Sequence, residues 1–141
     1  MRSTEAILDD LDAVVEALAA VDRDALDSAQ HYAVLDRLEA ARRRQIAVSH
    51  DHIARLEQVD GCPPVPVLLA DVLRISRAEA RRRVRDAEQV APRRTLTGEQ
   101  LPPLLPATAE VWRAGRLDAE HLKVIQKFFR DLPGHVGSAE A

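Results

Sequence analysis

The feature that most constrains the fold is the segment LLADVLRISRAEARRRV, residues 68–84, which has the spacing of a helix-turn-helix. Ala70 and Ala80 stand where two helices need small residues to approach each other. Ile75 stands where the turn is buried. Ser76 is a good N-cap for the second helix, and Glu79 is correctly placed to form a capping box with it. The segment therefore predicts two short helices joined by a tight turn, an arrangement that often contacts nucleic acid.

Arginines line the second predicted helix and the turn before it. Arg74 occupies the turn position that Gly usually takes. At 100° per residue, Arg74, Arg77, Arg81 and Arg85 form one stripe, and Arg83 lies off that stripe. The stripe is either a phosphate-binding face or a solvated surface that pairs with nearby acidic residues. The candidate nucleic-acid contacts are Arg74, Arg77, Arg81, Arg82, Arg85, Arg93 and Arg94.

Charge is distributed unevenly along the chain, although the net charge is only −3. The first 30 residues carry eight acidic side chains against two arginines, whereas residues 74–94 carry eight arginines against three acidic side chains. The acidic and basic regions could pair within the fold, or the basic region could face phosphate. Double-stranded DNA is therefore a candidate partner.

Composition favours an all-α fold, because aromatic residues make up 3% of the chain and Gly is scarce, with five residues. We expect a helical bundle in one structural domain. An N-terminal hairpin with a long helix (1–60) precedes shorter helices that include the helix-turn-helix-like pair (61–133) and a flexible tail (134–141). The expected helices run from the N-cap Ser3 to about residue 21 and over 25–58, 66–74, 76–91, 107–114 and 118–132, with one helical turn after Thr97.

The composition provides few of the residues that catalytic and metal-binding sites need. The chain has only one Cys, Cys62, so neither an internal disulfide nor a Cys-rich metal site can form. It also contains no Asn. His50 and His52 point about 200° apart on a helix and cannot grip one ion, and we expect both to be exposed. We expect no enzyme activity, cofactor, metal or small-molecule substrate. The acidic N-terminus and the lack of a long apolar run favour a cytoplasmic protein with no membrane contact.

Several motifs resemble those of an actinobacterial family, domain-of-unknown-function family 222 (DUF222). They are the RISRAEA turn, the LPPLLPATA stretch, the AGRLDAEH turn and the helix ending in FFRDLP, which together span roughly residues 65–133. The resemblance implies the N-terminal module of mycobacterial repeat proteins that often carry an HNH endonuclease domain. It also implies an association with mobile DNA elements. Because the HNH domain is absent from this sequence, the family's nuclease chemistry is not expected here.

Two functions follow from these features. The first is a non-catalytic module that contacts DNA through the basic helix. The alternative is a protein-interaction or oligomerisation module with no nucleic-acid binding. In that alternative the 25–58 helix and the apolar face of Phe128 and Phe129 associate with a second copy.

Overall fold

A computed structural model describes residues 1–134, and the fold is mainly α, as predicted. The predicted tail lies outside the described residues from His135 onward. The helices are α1 (Thr4–Ala19), α2 (Ser28–Ile53), α3 (Val65–Leu73), α4 (Arg77–Val90), α5 (Pro106–Arg113) and α6 (Ala119–Asp131). A 3-10 turn covers Arg23–Ala25, and an antiparallel hairpin pairs β1 (Arg93–Arg94) with β2 (Gln100–Leu101). In the part of the chain that is described, none of these helices combines the length and the apolarity that crossing a bilayer requires.

The chain divides into two compact units, Met1–Arg37 and Leu38–Ala141, with the boundary inside α2. The first unit contains α1, the 3-10 turn and the beginning of α2. The Ser3 hydroxyl accepts a hydrogen bond from the Ala6 amide at 3.2 Å, so this residue caps α1 as predicted. Neither α1 nor the 3-10 turn contains a buried residue.

The second unit holds the buried core, which forms two clusters. We call the first the Trp112 cluster; it consists of Ala47, Val90, Ala109, Trp112 and Leu122. The second, the Ala80 cluster, consists of Ile53, Leu69, Ala70, Ala80 and Ala87, with the half-buried Ile75 and Val84 packed against it. Both clusters include residues of α2 and α4, so these two helices contribute to the whole core.

The long helix α2 is shorter than predicted at both ends. At its start, the Asp27 carboxylate accepts from the Gln30 amide at 2.8 Å, and the Gln30 side chain accepts from the Asp27 amide at 2.9 Å. This reciprocal pair is a capping box that fixes the first helical residue at Ser28. Beyond Ile53, the Gln58 side chain accepts from the Val65 amide and donates to loop carbonyls, so it holds a loop where the periodicity had predicted more helix.

The helical turn expected after Thr97 is wrong, because residues 93–101 form the small β-hairpin instead. The Thr95 hydroxyl accepts from the Glu99 amide at 3.0 Å, and the Thr95 amide donates to the Glu99 carbonyl. Gly98 has a φ of 86°, which closes this turn at no steric cost. Local hydrogen bonds of Thr95 thus hold a hairpin where one helical turn was expected.

The contact between α3 and α4 is expected to be intolerant of larger side chains. Ala80 has no exposed surface and lies among Leu69, Ala70 and Ala87. The substitution Ala80→Leu should lower the free energy of unfolding by about 1–3 kcal/mol, because the added atoms force the helices apart. Urea denaturation of Ala80→Leu beside Ala78→Leu, at an exposed position of the same helix, measures the difference. Equal stability of the two variants would contradict tight packing at this crossing.

Candidate nucleic-acid interface

The turn that joins α3 to α4 has the geometry that the sequence predicted. Arg74 lies in the left-handed region, with a φ of 54°, and ends α3. The Ile75 amide donates to the Ala70 carbonyl at 3.1 Å, which satisfies one of the free carbonyls at the end of α3. The Ile75 side chain is half-buried against the Ala80 cluster. The turn is therefore short and anchored, and α4 begins three residues after Arg74.

Ser76 caps α4, but the predicted capping box is only half formed. The Ser76 hydroxyl accepts from the Glu79 amide at 3.1 Å. The Glu79 carboxylate does not accept a hydrogen bond from the Ser76 amide, as a capping box requires. It accepts two hydrogen bonds from Arg82, at 2.6 and 2.8 Å, and one from Arg83 at 2.9 Å. A charged partner competes successfully with the backbone amide because charge-assisted bidentate pairs are stronger.

The same network extends to a buried carboxylate. Asp86 is 3% exposed, and its carboxylate lies 3.3 Å from Arg82 Nη1 and accepts from Gln126 Nε2 on α6 at 2.8 Å. These partners satisfy a buried charge and connect α4 to α6. The hydrogen bond from Arg82, with a further contribution from Arg83, lowers the pKa of Glu79 to about 2. Two of the arginines in the basic run therefore have internal partners.

Three other arginines of α4 point away from the core. Arg77, Arg81 and Arg85 are exposed, follow one another at intervals of four residues, and make no ion pair with any described residue. Positions four apart share one face of a helix, and the buried residues of α4 lie on the other side; they are Ala80, Asp86, Ala87 and Val90. Arg74 is exposed too, at the turn that precedes this face. The structure thus separates unpaired arginines on the surface from Arg82 and Arg83, which are held by Glu79.

A groove of about 760 Å³ lies between α4 and α6. Its lining includes Arg82 and Arg85 from α4, and Lys123 and Arg130 from α6. The side chains of Lys123 and Arg130 are exposed and make no ion pair among the described residues, whereas Lys127 pairs with Asp131 at 2.7 Å. Sequence reasoning missed these two cations, because only the packing of α6 beside α4 brings them to the arginine-bearing helix.

The remaining predicted site residues lie on other elements. Arg93 and Arg94 form strand β1, and Arg93 donates to the Pro102 carbonyl at 2.9 Å, so part of its guanidinium is used within the hairpin. Phe128 and Phe129 lie on α6 in a T-shaped contact, with ring centres 5.3 Å apart. Phe128 is 59% exposed and Phe129 is half-buried, so only one of the two rings presents a large apolar surface.

The expectation that His50 is exposed is wrong. Its side chain is 3% exposed, it hydrogen-bonds through Nδ1 to the Ile46 carbonyl at 2.8 Å, and it contacts Trp112 edge-on at 5.2 Å. Burial lowers its pKa, which favours the neutral ring. The periodicity failed here because Ala47, His50 and Ile53 share the face of α2 that enters the core. No group of three potential metal-ligating side chains occurs within residues 1–134.

Comparison with known proteins identifies the family. The family model for a domain of unknown function, DUF222, matches residues 32–141, which is most of the chain. The chain belongs to the DUF222 family. No solved structure matches it significantly.

Several mycobacterial proteins are similar along most of the chain. An uncharacterized Mycobacterium tuberculosis protein is 43% identical over 135 residues, which cover 93% of this chain and 30% of that protein. Another from the same species is 42% identical over 119 residues, covering 80% of this chain and 26% of the relative. A Mycobacterium bovis protein is 43% identical over 119 residues with the same coverage. The chain therefore spans about 30% or less of the length of these relatives.

The left-handed conformation of Arg74 provides a test of the turn. The substitution Arg74→Gly should raise the free energy of unfolding by about 0.5–1 kcal/mol, because Gly adopts this conformation without the steric cost of a Cβ atom. Arg74→Ala removes the same charge but keeps the Cβ atom, so it should give no comparable gain. Thermal or urea denaturation compares the three proteins, and equal stability of the Gly and Ala variants would argue against strain at this residue.

The Glu79 network predicts a defined acid dependence. The pKa of Glu79 falls from an ordinary 4.5 to about 2 in the folded protein, so the folded state binds fewer protons between these values. The stability that Glu79 contributes is complete above pH 4.5 and is lost as the pH falls towards 2. Glu79→Gln should therefore flatten the decline of stability in this pH window. Denaturant midpoints measured across the window test this, with Glu88→Gln on the exposed face as the control; an unchanged slope in Glu79→Gln would refute it.

Proposed function

We propose that this DUF222 segment binds the phosphate backbone of double-stranded DNA through the exposed face of α4. The proposal rests on one observation, which is that some arginines of α4 have ion-pair partners and others have none. Arg82 and Arg83 pair with Glu79, whereas Arg77, Arg81 and Arg85 have no ion-pair partner among the described residues. Unpaired guanidinium groups at the surface are available to exchange counterions with phosphate.

The position of α4 supports this function. It is the second helix of a helix-turn-helix-like pair, and in such pairs the second helix enters the major groove while residues near its start approach the bases. Arg77 and Arg81 lie in its first two turns. A rigid support also favours binding, because Ala80 and Ala87 fix the back of α4 against the core and Asp86 connects it to α6. The arginines therefore project from a helix whose orientation is set by packing.

The neighbouring cations extend the proposed contact. Lys123 and Arg130 on α6 line the groove beside Arg85, so they could contact the phosphates that flank those reached from α4. Phosphate contacts position a protein on a duplex without reading its sequence. We therefore propose binding with a strong dependence on salt, and we assign no base specificity to these residues.

The proposed role is one of binding, not catalysis. The chain contains no Asn, a residue that the HNH arrangement uses, so this segment would depend on other parts of longer DUF222 proteins for any nuclease chemistry. The mycobacterial relatives are long enough to contain such parts, because the chain spans at most about 30% of their length. In this proposal the segment positions a longer protein on DNA.

Replacement of Arg77, Arg81 and Arg85 together by Gln tests the proposal. Binding of a labelled generic duplex should weaken by at least tenfold at low salt, and the slope of log affinity against log salt should fall by about 2–3, roughly one for each lost phosphate contact. Fluorescence anisotropy at several salt concentrations measures both quantities.

A matched control removes three exposed arginines elsewhere, Arg37, Arg44 and Arg116, and changes the net charge by the same amount. It should leave the affinity and the salt slope close to those of the original protein. Two results would overturn the proposal: no duplex binding by the original protein at low salt, or equal losses in the two triple variants.

A further inference from the structure

The first compact unit, Met1–Arg37, exposes a large apolar surface. Seven apolar side chains in and just after α1 are each 40–56% exposed, and no residue of α1 is buried. They are Ile7, Leu8, Leu11, Val14, Val15, Leu18 and Val21. Units of fewer than about 40 residues usually depend on a disulfide, a metal or association for stability. The only Cys in the chain is Cys62, and the described residues hold no metal-ligating group of three.

These side chains follow a heptad pattern. Ile7, Leu11, Val14, Leu18 and Val21 are separated alternately by four and three residues, which is the a and d spacing of a coiled coil. Leu8 and Val15 widen the stripe on one side. A stripe of this kind packs best against another helix, because its side chains can insert between those of a similar stripe.

The charges of α1 lie away from this stripe. Glu5, Asp9, Asp12 and Glu16 occupy the opposite half of the helix. The one acidic residue at the edge of the stripe, Asp10, forms an ion pair with Arg2. In coiled coils, charges beside the apolar seam select a partner of complementary charge and repel one of like charge. The stripe on α1 has no unpaired charge in these positions, so two identical helices would place no unpaired like charges beside the seam.

We propose that the apolar stripe of α1 is a homodimerisation surface, occupied by α1 of a second copy of this chain. An isologous contact that covered all seven half-exposed side chains on both copies would bury on the order of 1,200 Å² in total, which is the lower limit of specific interfaces. A helix of this length is marginal in water on its own, so association also stabilises α1 itself.

The oligomeric state in the absence of DNA tests the proposal on the full chain. The variant Leu11→Gln/Leu18→Gln removes two central apolar residues and keeps a similar helix propensity. The control, Ala13→Gln/Ala20→Gln, places the same side chains on the opposite face. Sedimentation equilibrium over a wide concentration range gives the mass, and circular dichroism follows helix content on dilution. Fluorescence of Trp112, which is buried in the second unit, checks that the core of each variant is folded.

The original chain and the Ala13/Ala20 control should have twice the monomer mass at high concentration and lose helix content on dilution. The Leu11/Leu18 variant should be monomeric at the same concentrations, with unchanged Trp112 fluorescence. The proposal is overturned if the original chain is a monomer at every concentration, which would leave α1 to another partner. It is also overturned if the Leu11/Leu18 variant remains a dimer, which would point to another surface, such as that at Phe128. Because DNA is absent, failure here leaves the proposed role of α4 unaffected.

Discussion

The close approach of α3 and α4 through alanine side chains is the constraint on which the candidate interface depends. Ala70, Ala80 and Ala87 are buried with almost no exposed surface, and they let the two helices meet at a three-residue turn. Small residues at a crossing fix the rotation of each helix, because any larger side chain would have to find space in a packed core. Because the buried face of α4 also includes Asp86 and Val90, Arg77, Arg81 and Arg85 lie on its outward side. Packing on one side of α4 thus determines the charge presented on the other.

Electrostatic pairing then divides the arginines into two classes. Glu79 holds Arg82 and Arg83, and Asp86 connects Arg82 to α6 through Gln126. A buried carboxylate needs such partners, since an unpaired charge in the core is costly. These pairs serve the structure, and the arginines that remain unpaired are the ones available to a ligand. The net charge of −3 therefore says little about the local surface.

The two compact units differ in how they are stabilised. The second unit has two buried clusters and a network of polar contacts, whereas the described helix α1 of the first has caps and an apolar stripe but no buried residue. Local interactions such as the Ser3 cap define where α1 begins, but they do not supply a core. The proposed DNA contact lies on α4 and the proposed self-association on α1, so neither proposal requires the other.

The sequence by itself determined the features that depend on short-range physics. It predicted the all-α class, the caps at Ser3 and Ser76, the start of the last helix at Asp118, a tight turn at Arg74 and the stripe of arginines on α4. These follow from backbone sterics, local hydrogen bonds and helical periodicity. Two short-range predictions were wrong because local interactions competed. A hairpin formed at Thr95 in place of a helical turn. Glu79 accepts hydrogen bonds from Arg82 and Arg83 instead of from the Ser76 amide.

Only the tertiary structure decided the features that depend on contacts between distant residues. It buried His50 against Trp112, placed Lys123 and Arg130 beside α4, and paired Asp86 with Gln126, 40 residues away. It also brought the α5–α6 turn so close to α2 that a Cβ atom on Gly115 would lie 3.1 Å from the Ala40 carbonyl oxygen. Periodicity gives the face of a helix on which a residue lies, but not what packs against that face, because packing is set by shape and charge that many distant residues contribute together.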